Sequence, residues 1–317
     1  MKLQMTHFEQ LSEHVREILR TSGNDRRLTK QFVFDPRELK NRPSDYDDVA
    51  ADRSIEIVKG VYHRYPSKVL FCPTGECLGH CRFCFRKHIK KNTQLTDSET
   101  EVALAAIREN KLITEVIFSG GDPFALPAVL LTRLLQNVRG IAGVRIIRIH
   151  TRTLTYAPEL ITESLVECFK AVRPLFLVFH VNSHLELSAM AKAKCALLVD
   201  AGIPCFSQTA LLRDVNDSTA DLSALFMTLL ENGVKPYYLF HTDRVQGGEH
   251  FYVKLSKGID LYKSLYNRIS GLAMPIYLFN VPGGHGHCIV DLGNIVPEKS
   301  DRYRVTDWQG NVLSYED

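Results

Sequence analysis

Cys77-Leu-Gly-His-Cys81-Arg-Phe-Cys84 sets three thiols at Cys-x3-Cys-x2-Cys spacing, directly after an apolar run from Ser67 to Thr74. On a tight loop leaving a strand, this spacing aims three sulfurs at one point. Thiolates are soft ligands, suited to iron–sulfur clusters, zinc or Cu(I). Three ligands from one loop leave one iron of a four-iron cluster without a protein ligand, and such an open position is where a cofactor or substrate binds. The competing reading is a structural zinc knuckle completed by Cys72, His80 or His88.

Outward from this loop a pattern repeats. Apolar runs occur at 67–74, 114–119, 144–150, 175–182, 203–210, 235–242 and 275–281. They are rich in β-branched and aromatic residues and continuous rather than alternating, as strands covered on both faces should be. Helical segments separate them. One starts at the capping box Thr96-x-x-Glu99, and another carries Leu131, Leu134, Leu135 and Val138 on one face. A third carries Leu222, Leu225, Phe226 and Leu229 and stops at Gly233, and a further helix is expected over about 255–271. Strands alternating with helices predict a parallel α/β sheet, either a barrel or a doubly wound fold. A barrel is favoured because Cys77 to Cys84, Ser119 to Asp122, His150, His180, Gln208 and Asp243 all fall at the C-terminal ends of strands, where barrel enzymes carry their sites. There is no Walker A motif and no dinucleotide fingerprint after a strand.

The chain has 317 residues, 45% of them hydrophobic and 24% charged, with a net charge of +3. That is an ordinary globular composition, and its charge is too small and dispersed to argue for nucleic acid or membrane. No apolar run approaches the ~18 residues of a spanning helix. Eight cysteines, five of them scattered singly, do not make a disulfide framework and fit a reducing cytosol. Residues 1–58 are polar and helix-prone, with Phe8, Leu11, Val15 and Leu19 at helical spacing, and are expected to cover a main domain at 59–282. Residues 283–317 form a short C-terminal extension.

The cysteine loop, with Phe83 before its last thiol, resembles the signature of the radical S-adenosylmethionine (radical SAM) enzymes. The resemblance narrows to the lysine 2,3-aminomutase-like family and runs from about 60 to 290. Its carriers are His63-Arg-Tyr-Pro66, Ser119-Gly-Gly-Asp-Pro123, Asp200-Ala-Gly-Ile-Pro204 with Gln208 and Leu211-Leu-Arg213, Pro236-Tyr-Tyr-Leu-Phe240 with Asp243, and Pro282-Gly-Gly-His-Gly-His287. It implies a partial (β/α)6 TIM-type barrel in which Cys77, Cys81 and Cys84 hold a [4Fe-4S] cluster. SAM chelates the fourth iron and is cleaved to methionine and a 5′-deoxyadenosyl radical, which abstracts hydrogen from substrate. By the same resemblance Ser119, Gly120, Gly121, Asp122, His180 and Gln208 bind SAM. Arg86 clasps the substrate carboxylate, Arg64 matches the arginine holding the phosphate of pyridoxal phosphate (PLP), and Asp243 matches one of two acids binding a distal ammonium. A small-molecule substrate and a reducing donor such as flavodoxin or ferredoxin follow, and a homo-oligomer is left open. The chain reads shorter than typical members at both ends and lacks their C-terminal metal-binding cysteines.

The departures lie on the substrate side. Family aminomutases form an internal aldimine on a lysine where this chain has His287, and imidazole cannot form a Schiff base. Asn280 stands at the second acidic position, and His150 replaces a small residue and should intrude on the site. The expectation is therefore a radical SAM enzyme acting on a small amino-acid-like or carboxylate-bearing substrate without PLP. His285 and His287 are its candidate acid–base residues, and Asn280 contributes to substrate binding. The alternatives are a PLP-dependent aminomutase, an isomerase, and more remotely a zinc-stabilised binding protein.

Overall fold

The computed structural model describes residues 11–316 except 44, 90–92, 294, 300–301 and 307–310. The N-terminal segment begins with α1 (Glu13–Thr21) and α2 (Arg26–Phe32), whose first N–H groups are capped by the side chains of Ser12 and Asp25. A 3-10 turn at Pro36–Leu39 and a short α3 (Asp52–Ile55) follow. Val15, Ile18 and Leu19 of α1 pack with Leu28 and Phe32 of α2 against Tyr156. Phe8, expected on the same face, lies outside the described residues.

The main domain runs β1 (Glu56–Val58), β2 (Val61–Tyr65), β3 (Lys68–Thr74), α4 (Asp97–Glu109), β4 (Glu115–Gly120), α5 (Ala128–Arg139), β5 (Ile146–Thr151), α6 (Thr153–Tyr156), α7 (Glu163–Ala171) and β6 (Leu175–His180). It continues with α8 (Ala189–Asp200), β7 (Cys205–Ala210), α9 (Thr219–Glu231), β8 (Val234–Phe240), α10 (Leu255–Leu265), β9 (Ile276–Val281) and β10 (Gly286–Ile289). These strands form one ten-stranded sheet in sequence order. β3 to β9 are parallel, as their continuous apolar runs predict, while β1–β2, β2–β3 and β9–β10 pair antiparallel at the two edges. The architecture is the expected partial TIM-type barrel. The antiparallel edges were not anticipated, and the helix expected over 255–271 stops at Leu265. A separate antiparallel sheet of β11 (Ile295–Lys299), β12 (Arg302–Thr306) and β13 (Val312–Glu316) ends the chain.

One row of paired residues shows how the strands stay in register. Phe71, Phe118, Ile149, Leu177, Cys205 and Val234 lie side by side across β3 to β8. All are buried in the core cluster that also takes Leu131, Leu134, Leu135 and Val138 of α5 and Leu222, Leu225, Phe226 and Leu229 of α9. Each such side chain contributes about 1.5–3 kcal/mol by leaving water, and a one-residue slip would turn the row into the barrel lumen. Parallel pairing in fixed register therefore brings the C-terminal ends of seven strands to one mouth. Among the described residues no helix is long and apolar enough to cross a membrane.

Candidate active site

The cysteine loop leaves β3 and lies against Tyr156. Gly79 makes this possible, since a Cβ there would sit 2.1 Å from the Tyr156 ring. Cys81 Sγ stands 3.4 Å from the Tyr156 hydroxyl and accepts a 2.8 Å hydrogen bond from Arg152 Nη1. Arg82 is locked by a bidentate pair to Glu38 at 2.8 and 2.7 Å, and its backbone N–H donates to Gln31 O. The N-terminal segment thus supplies supports for the loop, a role its sequence did not reveal.

The mouth opens into a cavity of about 290 Å³. Cys81, Cys84, Arg86, Ser119, His180, Gln208, Asp243, Asn280, His287 and Arg64 all line it, together with His150. The parallel ladder explains the convergence: His180 pairs with Gln208 in register, and both point into the barrel at the ends of β6 and β7. Cys77, Asp122 and His285 do not line this cavity. His285 lies exposed in the turn before β10, whereas His287, two residues on, faces the cavity from the strand.

The glycine-rich segment after β4 also has a packing cause of its own. Gly120 adopts φ +114°, and a Cβ on Gly121 would lie 1.7 Å from Glu76 O. The two glycines let this segment nest against the residues entering the cysteine loop, where Gly121 N–H donates to Thr74 O and Asp122 N–H to Glu76 O. Asp122 is buried and fixes the loop to β5, accepting from Thr151 Oγ1 at 2.7 Å and from Arg152 N at 2.7 Å. Ser119 is the member of this segment on the main cavity. Gly120 borders a second cavity of about 430 Å³, on the other side of a shared wall of Asp52, Tyr62 and Arg86.

Charge is arranged at opposite chemistries. Arg86 Nε donates to Asp52 Oδ2 at 2.6 Å with both side chains nearly buried. Burial disfavours the guanidinium charge, but the adjacent Asp52 carboxylate more than offsets this and holds the Arg86 pKa above its ordinary value. Asp243 accepts from Asn280 Nδ2 at 2.9 Å, and burial pushes its carboxyl up to about 6 against that one bond. Asn280 Oδ1 remains buried with no partner, so an acceptor is left open beside the carboxylate. His150 and His180 are driven down to about 3, chiefly by burial and secondarily by Arg148 and Arg152 respectively. Both are neutral imidazoles. The His150 ring hydrogen-bonds Gln208 while its Nε2 is buried without a partner. Desolvation, with Lys68 and Arg64 nearby, lowers His287 to about 4, although part of its ring surface is open to solvent at the cavity edge.

Arg64 lines the cavity, and its guanidinium donates to the carbonyls of Gly284 and Ala50. Tyr65 hydroxyl accepts from His287 N–H at 3.0 Å. Together these bonds tie the β2–β3 edge to the β9–β10 edge and close the side of the barrel.

Sequence reasoning also missed a buried network behind Cys81. Arg152 Nη2 donates to Gln31 Oε1 at 2.6 Å and Glu186 Oε2 at 3.0 Å, and Thr155 donates to the same carboxylate oxygen at 2.7 Å. Its members come from α2, the β5–α6 junction and the turn after β6, so spacing could not have linked them. The weak signal was Arg152, a cation immediately after a strand end.

The donor set suits an iron–sulfur cluster. Three soft thiols sit on one loop, two of them facing a cavity that also presents Ser119, His180 and Gln208. Among the described residues no three His, Cys, Asp or Glu side chains are drawn together as a bound metal ion would hold them, the three loop thiols included.

Residues 71–226 match the radical SAM superfamily. The L-lysine 2,3-aminomutase of Methanococcus maripaludis is 34% identical over 290 residues, covering 91% of this chain and 67% of that protein. The chain belongs to the lysine 2,3-aminomutase-like family of radical SAM enzymes. The L-lysine 2,3-aminomutase of Clostridium subterminale is 31% identical over 290 residues, 91% of this chain and 70% of that protein. The glutamate 2,3-aminomutase of Clostridioides difficile is 30% identical over 285 residues, covering 88% and 67%. The solved structure of native anSMEcpe with bound AdoMet and Cp18Cys peptide superposes with a TM-score of 0.51 at 13% identity, over 64% of this chain and 60% of that one, a likeness of fold. As a family member the protein is a radical SAM enzyme, and the family implies a [4Fe-4S] cluster and SAM.

Proposed function

We propose that this enzyme abstracts hydrogen from a small amino-acid-like substrate by radical SAM chemistry and does so without an internal PLP aldimine. Cys77, Cys81 and Cys84 hold the cluster, with Ser119, His180 and Gln208 facing SAM. When bound, the cluster and SAM supply reductive cleavage to methionine and a 5′-deoxyadenosyl radical, with the electron drawn from a flavodoxin- or ferredoxin-class donor. The chain's own residues bind, orient and shield. Arg86, held by Asp52, presents its remaining guanidinium N–H groups to a carboxylate. Asp243 and the open Asn280 carbonyl oxygen suit a cationic or hydrogen-bond-donating group. His150 and His287, held neutral by burial, add no charge to the cavity and offer ring nitrogens for hydrogen bonds; a proton taken up by either would create an imidazolium there.

The observation that carries the PLP-free reading is His287, an imidazole facing the cavity where the resemblance expects the aldimine lysine. Arg64 donates to the Ala50 carbonyl and to that of Gly284, in the turn leading to His287. Those bonds tie down two of its five guanidinium N–H groups, and His287 offers no amine for a Schiff base. The test is anaerobic reconstitution followed by iron and sulfide analysis, a visible spectrum, and assay of 5′-deoxyadenosine after dithionite and SAM. Four irons, deoxyadenosine release and no borohydride-reducible band with added PLP are the expected results. A PLP band at stoichiometric yield would sink the PLP-free reading, and absence of iron would sink the whole.

A further inference from the structure

We propose that Arg152 sets the reduction potential of the cluster, acting as a positioning residue through its hydrogen bond to Cys81 Sγ. The inference rests on the radical SAM reading of the three thiols and goes beyond it.

The guanidinium is built into the protein rather than laid against it. Arg152 is 5% exposed. Its Nη1 lies 2.8 Å from Cys81 Sγ, and its Nη2 donates to Gln31 and Glu186. The rings of Phe32, Phe83 and Tyr156 enclose it with centroids at 5.0, 5.0 and 5.5 Å. Glu186 is itself immobilised, accepting from the backbone N–H groups of Asn182 and Ser183 and from Gln31 Nε2 at 3.0, 2.9 and 2.9 Å. Arg152 Nε is buried with no partner, so the cation retains one donor not used by Cys81, Gln31 or Glu186.

Reducing a cluster adds negative charge, part of which resides on its thiolate sulfurs. A fixed cationic donor on one of them favours the reduced form and raises the potential, and it does so strongly where aromatic walls exclude water. Glu186 opposes this by partly neutralising Arg152. The carboxylate and guanidinium therefore form a graded pair, with the carboxylate behind the cation as seen from the sulfur. An enzyme of this class needs its cluster reducible by a biological donor, and this pair is a place where that requirement is met by residues outside the cysteine loop.

The experiment compares reconstituted native protein with R152K, R152Q and E186Q, each first without SAM and then with it. Iron and sulfide are counted, and the reduced cluster is followed by electron paramagnetic resonance during a potentiometric titration. For R152Q the ratio of reduced to oxidised cluster at a fixed potential should fall about tenfold, which is about 59 mV for one electron. R152K should fall less, and E186Q should move the opposite way. Iron-replete R152K and R152Q with the native potential would overturn the proposal, as would a shift that appears only with SAM present, which would assign Arg152 to SAM instead. If R152Q fails to retain iron, R152K and E186Q decide: opposite shifts support the proposal, and unchanged potentials overturn it. A native protein that takes up no iron would overturn the cluster reading first and this inference with it.

Discussion

Replacing Asp243 with asparagine should stabilise the protein at neutral pH and leave it little changed in acid. Asp243 has its carboxyl raised from 3.8 to about 6, by burial only partly offset by Asn280. A raised carboxylate pKa means that the folded chain resists ionisation more than the unfolded chain does. The stability associated with the protonated form is fully present below about pH 4 and is lost as pH rises through about 6. The difference between 3.8 and about 6 corresponds to roughly 3 kcal/mol, an upper figure because the mouth is partly open to water. In D243N that loss is absent, though an imperfect amide pair with Asn280 costs about 1 kcal/mol at every pH. Urea unfolding of the two proteins from about pH 4 to about pH 8 measures this directly. The advantage of D243N should grow between about pH 4 and 6 and then stay constant. A difference between the two proteins that does not change with pH would refute the view of Asp243 as a buried carboxylate awaiting a cation. An amino-acid substrate bearing a distal cation should narrow the gap by binding the native protein selectively.

Three further outcomes are expected. R86K keeps the charge but loses the planar fork held by Asp52, so the apparent affinity for a carboxylate substrate should fall about tenfold or more, read as the concentration needed to stimulate deoxyadenosine formation. G121A would drive a Cβ to 1.7 Å from a backbone carbonyl, and its cost should exceed the usual ~1–3 kcal/mol of overpacking, seen as a lower Tm together with poor iron retention. L229A removes a fully buried side chain between α9 and the sheet, remote from the mouth, and should cost about 2–5 kcal/mol in denaturant unfolding while leaving iron uptake of the folded fraction intact.

Long apolar runs made the seven parallel strands readable, because strands covered on both faces bear a signal that little else produces. β1, β2 and β10 escaped notice since each has only three to five residues and none is a continuous buried run. Cys81, Cys84, His180, Gln208 and Asp243 were legible as residue types after strand ends, and Arg86 through the family resemblance, and they do share one cavity, while Cys77 does not line it. Gly121 and Asp122 were legible as a motif, but their packing role depended on where the 74–76 backbone would pass. Arg64 shows the limit most clearly: its motif survives, yet its hydrogen-bond partners are set by a turn some 220 residues away. The Gln31–Arg152–Glu186 group was invisible for the same reason, as no local period connects residues on three separate elements.

The closure of the barrel has a consequence for how such a protein can change. Most of its circumference is a ladder, where each strand's register constrains the next and a length change propagates. Between β2 and the turn before β10 the join is instead made by side chains reaching backbone atoms, Arg64 to Gly284 and Tyr65 to His287. A join of this kind has no repeat to keep in phase. The turn that leads into β10 carries no ladder pairing of its own, so an exposed position such as His285 can change without shifting a strand, whereas Gly284 and Gly286, at positive φ against Ala51 and Tyr65, cannot. His287, where the resemblance expects a lysine, stands at this seam, and there a barrel can acquire a new specificity while its ladder and its cysteine loop stay as they were.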